Sequence, residues 1–175
     1  TVFTLTVTNQ AGDSVQKTLT VSVNRPTISA FTGPTFWTSG KAALPLSATF
    51  GGDDLDASII QLLDLRFLEP SDPRFIGTLE AVEKGLRRGS HMLRYAVEDD
   101  FGLPHTAFNV CTFWLIEALH ATGRHDDARA LFEEMLARRT ASGLLSEDID
   151  PTSLELWGKY PQTYSLVGMI NCAVL

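Results

Sequence analysis

Cysteine is scarce in this chain: two among 175 residues. That count excludes a multi-disulfide scaffold and a four-thiolate metal site. Cys111 and Cys172 both fall in apolar helical patterns and read as buried free thiols. Long apolar runs are missing too; none approaches the roughly 20 residues a helix needs to cross a bilayer, so no membrane partner is expected. Basic residues are outnumbered, with 14 Lys and Arg against 21 Asp and Glu and a net charge of −7. This argues against a nucleic-acid partner, which favours basic patches, and suits a neutral ligand. No glycine-rich phosphate loop occurs, and His91, His105, His120 and His125 lack metal-ligand spacing, so neither a metal nor another cofactor is expected. Ser90 and Ser146 lie outside any nucleophile-elbow context. What remains, 44% hydrophobic and 20% charged residues, is enough to bury a core in one domain or two small ones.

Charge and period change together along the chain. Residues 1–52 hold Lys17, Arg25 and Lys41 against Asp13, whereas the rest carries 11 basic and 20 acidic side chains. In the first part, Val2 to Thr8 and Lys17 to Val23 alternate apolar and hydroxyl residues with period two, the pattern of half-buried strands. Asn9 to Asp13 supply turn chemistry between them. Segments 27–31 and 43–50 read as two further strands. From Asp53 the period becomes helical. Ala57, Ile60, Leu62 and Leu63 mark a first helix, and Phe75, Leu79, Val82 and Leu86 a second over 73–88, opened by Pro73. A third, over about 105–122, is apolar nearly all round and therefore buried. A fourth opens at Asp126, and a fifth carries Tyr164, Val167, Ile170 and Val174 to the end. Gly89-Ser90-His91-Met92 has the look of a cleaved tag but reads as ordinary sequence. Strands are expected only before about Gly52.

If the helices alternate in direction, the loops before the first, third and fifth open at one end of the bundle. Those loops contain Asp54 and Asp56, then Glu98, Asp99 and Asp100, then Glu147, Asp148 and Asp150. A single aspartate before a helix is commonly an N-cap. Three acidic loops on one rim, one of them with Trp157 and Tyr160, point to a site for a sugar, whose C–H faces stack on aromatic rings.

Four blocks carry a resemblance: Asp99 to Gly102, Ala107 to Trp114, Gly143 to Pro151 (GLLSEDIDP) and Trp157 to Ser165 (WGKYPQTYS). Together they resemble the C-terminal part of glycoside hydrolase family 15, the glucoamylase- and trehalase-like enzymes, over residues 50–175. The resemblance implies an inverting hydrolase of α-glucosidic bonds, acting on an α-glucoside or oligosaccharide. It implies Glu147 as catalytic base, with Trp157, Tyr160, Asp99 and Asp100 as substrate-binding candidates. Inversion needs a second carboxyl group about 6.5–9.5 Å away to protonate the leaving oxygen. No segment matches the family's general acid, so a truncated fragment, inactive alone, is the expectation; Asp99 or Asp100 would be the substitute. Residues 1–50 resemble bacterial immunoglobulin-like surface repeats. The expected fold is thus α+β in two parts: a partial immunoglobulin-like segment over 1–50, then a partial α/α toroid of helical hairpins over 53–175. A toroid open on one flank exposes apolar surface, which implies self-association. The alternative is a non-catalytic immunoglobulin-like surface or binding module, or an engineered chimera. Localisation stays open, since the β part suits a secreted or surface protein and the helical part a cytoplasmic enzyme.

Overall fold

The computed structural model describes strands Val2–Thr8 and Ser14–Thr20 and residues 54–100 and 102–175. The expected strands at 27–31 and 43–50 lie outside the described residues. The chain divides into two compact units, residues 1–35 and 36–175. In the first, strands β1 (Val2–Thr8) and β2 (Ser14–Thr20) pair antiparallel, with Val2 opposite Thr20 and Thr8 opposite Ser14. β1 has the expected span; β2 begins three residues before the expected Lys17, and residues 21–23 and the expected turn at 9–13 lie outside the described residues.

The second unit is built on helices. A 3₁₀ helix, Ala57–Leu62, takes the place of the first expected helix; the Asp56 carboxylate caps it by accepting from the Ser58 N–H. Helix α1 (Pro73–Leu86) starts where Asp72 caps the first turn and proline occupies the position that needs no donor. Helix α2 (Asn109–Ala121) is followed, after a turn through Gly123, by α3 (His125–Ala137), and α4 spans Thr163–Ala173. Phe113, Leu115, Ile116 and Leu119 of α2 are all buried. Helix α2 is thus the centre of the core, with the 3₁₀ helix, α3 and α4 packed on it. No helix among the described residues is long and apolar enough to cross a membrane.

One expectation needs correction. Strands are not confined to the first 52 residues. Two-residue strands β3 (Arg87–Arg88) and β4 (His91–Met92) form a hairpin, and β5 (Ala107–Phe108), β6 (Asp148–Ile149) and β7 (Leu156–Trp157) form a three-stranded sheet in the order β5-β6-β7. Pairs this short leave no periodic signature. The Gly89–Ser90 segment is the turn of the first hairpin, with Gly89 at φ +60°, and His91 and Met92 are buried behind it. The Met92 N–H donates to Thr112 Oγ1 of α2 at 3.0 Å. This stretch is part of the fold.

The fifth expected helix is present as α4. Tyr164, Val167, Ile170 and Val174, the apolar residues that mark it, are all exposed, and Ser165, Gly168 and Cys172 are buried. A methyl group on Gly168 would meet the Cβ, Cδ2 and Cγ atoms of Phe113 at 2.8–2.9 Å. The helix approaches α2 too closely for large side chains, so small residues hold the contact and large ones turn outward. Both cysteines are free and buried, as read from the sequence.

Candidate functional site

The small sheet carries the acid pair. Asp148 on β6 sits opposite Phe108 on one side and Trp157 on the other. The preceding carbonyl, that of Ser146, accepts from Asn109 Nδ2 at 3.0 Å and from Ser165 Oγ at 2.7 Å. The first turns of α2 and α4 therefore grip one peptide from two sides, immediately before Glu147. The Glu147 backbone completes the frame: its N–H donates to the Lys159 carbonyl at 2.9 Å, and its carbonyl accepts from the Asn109 N–H at 3.0 Å.

Glu147 and Asp148 open into a cavity of about 270 Å³ lined also by Arg94, Tyr95, Pro104, Thr106 and Phe108. The Glu147 carboxylate accepts from the Lys159 N–H at 3.2 Å and from Gln162 Nε2 at 3.2 Å. Asp148 accepts from the Thr106 hydroxyl at 3.0 Å. Burial pushes the Asp148 carboxyl above the usual range; the Thr106 bond opposes that, and the charge of Glu147 adds to it. Across the cavity, Arg94 Nε donates to Asp56 at 2.8 Å, and the Tyr95 hydroxyl donates to Asp99. Among the described residues the lining combines a cation, a phenol, a hydroxyl and two carboxylates with the apolar Pro104 and Phe108. No cluster among those residues has metal-ligand geometry.

The three acidic loops do meet here, though partly through intermediaries. Glu147 lines the cavity directly. Asp56 and Asp99 act behind Arg94 and Tyr95, and Asp100 is exposed without lining it. Trp157 and Tyr160 are about half exposed and not part of the lining; the Tyr160 hydroxyl lies 3.1 Å from Thr140 Oγ1. Sequence reasoning missed Arg94, Tyr95, Thr106 and Gln162. For Tyr95 the available signal was its place four residues before Asp99, which accepts from its hydroxyl; the partner of Arg94 is Asp56, 38 residues away.

The family model for glycosyl hydrolases family 15 matches residues 2–174. The chain belongs to this family. The match takes in the first 50 residues, so the family likeness is not restricted to the helical part and the reading of residues 1–50 as immunoglobulin-like gains no support. The trehalase of Mycolicibacterium smegmatis is 35% identical over 132 residues, covering 74% of this chain and 20% of that protein. That of Mycobacterium tuberculosis is 36% identical over 128 residues, covering 71% and 19%. An archaeal trehalase, from Thermoplasma acidophilum, is 36% identical over 126 residues, covering 71% and 22%, so relatives are not confined to bacteria. The chain spans about a fifth of the length of these curated relatives. Among solved structures, a wild-type glycosidase shares the fold with a TM-score of 0.63 at 21% identity, over 74% of this chain and 38% of that one.

Proposed function

We propose that this chain forms the base side of the active site of an inverting hydrolase of α-glucosidic bonds, with trehalose the first substrate to test. Its helical part is then a segment of an α/α toroid. Glu147 takes the role of general base and draws a proton from the attacking water. The single observation that carries this reading is the Glu147 carboxylate, held by two donors on the wall of a cavity that Arg94 and Tyr95 share. A base must stay ionised and must be fixed relative to the water it activates, and paired hydrogen bonds to a carboxylate favour both. Arg94 and Tyr95 are suited to bind sugar hydroxyls. The raised Asp148 suits a hydrogen-bonding role beside the base.

Inversion also requires a carboxyl group on the other side of the scissile bond. Among the described residues, the carboxylates lining the cavity are Glu147 and Asp148, adjacent in sequence on one wall. Turnover by this chain alone is therefore expected to be weak. The purified chain and its Glu147→Gln variant are to be assayed on trehalose, maltose, maltooligosaccharides and isomaltose, while glucose and trehalose are titrated with backbone resonances observed. Shifts at Arg94, Tyr95 and Glu147, with residual turnover lost in Glu147→Gln, support the reading. Saturating sugar that leaves these resonances unmoved, or turnover untouched by Glu147→Gln, overturns it.

A further inference from the structure

Glu147 is held not only through its backbone but along its side chain. Oε2 accepts from the Lys159 N–H and Oε1 from Gln162 Nε2, each at 3.2 Å. An ionised carboxylate only accepts, so the nitrogen of the Gln162 amide is the atom that faces it. Gly158, next to Lys159 in sequence, has φ +78°. A methyl group on Gly158 would meet Glu147 Cβ at 2.9 Å, Oε2 at 3.0 Å and Cγ at 3.4 Å. The glutamate side chain thus occupies the space that a side chain at residue 158 would need.

We propose that Gly158, the Lys159 N–H and Gln162 form a positioning clamp that holds Glu147 in one rotamer, with one lone pair on each oxygen left for water and sugar. The proposal rests on the reading of Glu147 as the base. Gln162 is itself well anchored. It is 9% exposed, its N–H donates to the Leu145 carbonyl at 3.0 Å, and it stands immediately before α4. Helix α4 is fixed by Gly168 against Phe113 and by Ser165 on the Ser146 carbonyl. Through Gln162 the clamp ties the base to the start of α4, with Gly158 and Lys159 in the loop that leads to it. Such support matters because a misplacement of about 1 Å can lower turnover about 10²-fold.

A second glycine provides the control. Gly143 has the same φ of +78°, yet a methyl group there meets nothing within 4 Å. Gly143→Ala reports the strain of a positive φ alone; Gly158→Ala adds the collision with Glu147. Gln162→Met keeps the length of the side chain and removes the donor. The rotamer of Glu147 is read from side-chain scalar couplings in the full 175-residue chain, its signals assigned by their loss in Glu147→Gln. This measurement needs no turnover. A single rotamer is expected in the wild type and in Gly143→Ala, with averaged couplings in Gly158→Ala and Gln162→Met. Averaging already in the wild type, or an unchanged rotamer in both clamp variants, overturns the proposal. On the residual hydrolysis, Gly158→Ala should lower kcat about 10²-fold with little change in KM. Full turnover in Glu147→Gln would instead remove the base assignment, and the coupling measurement would still decide whether the side chain is clamped.

Discussion

Arg94 Nε–H is shared between the two carboxylate oxygens of Asp56, at 2.8 and 3.1 Å, across 38 residues of sequence. The pair joins the cap of the 3₁₀ helix to the wall of the cavity. Asp56 serves both ends, because it also accepts from the Ser58 N–H at 2.8 Å.

Asp56 gives a prediction whose sign is fixed. Burial alone would raise its carboxyl, but the hydrogen bonds from Arg94 and Ser58 outweigh burial and leave it below the usual carboxylate range. A carboxyl depressed in the folded state contributes stability above its unfolded pKa of about 3.9 and loses it as pH falls through the folded value. Asp56→Ala removes a helix cap and a partly exposed ion pair, for a cost of roughly 1–2 kcal/mol at pH 7. Urea denaturation at pH 7 and pH 2.5 should show the difference between wild type and variant shrinking at the lower pH. An equal difference at both would detach the effect from the Asp56 charge.

Helix α4 supplies a packing prediction. Gly168→Ala places a methyl group 2.8 Å from the Phe113 side chain, and overpacking of this kind costs typically 1–3 kcal/mol. Phe113→Leu alone also destabilises, but it should relieve part of the Gly168→Ala penalty. A double-mutant cycle by urea denaturation measures the coupling. Simple additivity would mean that α4 moves away instead of pressing on the ring.

These two contacts show what the sequence could and could not reveal. Helix positions were legible because caps and apolar spacing are local: Asp72-Pro73 opens α1, and the apolar run of α2 marks the core helix. The orientation of α4 was not, because hydrophobicity favours Tyr164, Val167 and Ile170 as the inner face whereas close approach to Phe113 selects Gly168 and Ser165. Glu147 was reachable through family resemblance on its motif. Arg94 was hidden, since its partner lies far off in sequence and its role depends on the hairpin that Gly89 turns. The two-residue strands were beyond pattern analysis; β4 and β5 pack on α2, and β6 and β7 are held through β5.

Glu117 provides a pH dependence of opposite sign to that of Asp56. Burial, then the charge of Asp64, pushes its carboxyl up to about 7, against a hydrogen bond with Asn171 of α4. Between the unfolded value near 4.3 and about 7 the native state holds a proton that the unfolded chain has released, so stability falls as pH rises through this window. Glu117→Gln should flatten that part of the profile and leave pH 4 nearly unchanged. Denaturation midpoints at half-unit intervals from pH 4 to 8 test this; a slope retained in the variant would assign it to another group.

The outward face of α4 bears on association. Tyr164 at 66% exposure, Ile170 at 61% and Val174 at 81% form an apolar stripe of the kind that marks a contact surface. Sedimentation at micromolar concentration should show self-association of the wild type, reduced in Ile170→Glu. A monomeric wild type at these concentrations would show that the stripe does not join copies of this chain.

Asp148 and Glu147 are adjacent, and their variants should separate their roles. Asp148 is raised by burial first and by Glu147 second, so its ionisation destabilises the fold as pH rises from below its unfolded value through its folded one. Asp148→Asn removes that charge while retaining a partner for the Thr106 hydroxyl, 3.0 Å from the acid. The variant should therefore be more stable than the wild type at pH 7 and equal to it near pH 3. Residual hydrolysis should distinguish the pair in the other direction. Loss of a general base typically lowers turnover about 10²–10⁴-fold, the drop expected for Glu147→Gln. Asp148→Asn removes a neighbour of the base and should lower turnover much less. If Asp148→Asn proved the more damaging of the two, with its stability unchanged at pH 7, the proton would be drawn by Asp148, and Glu147 would be its support.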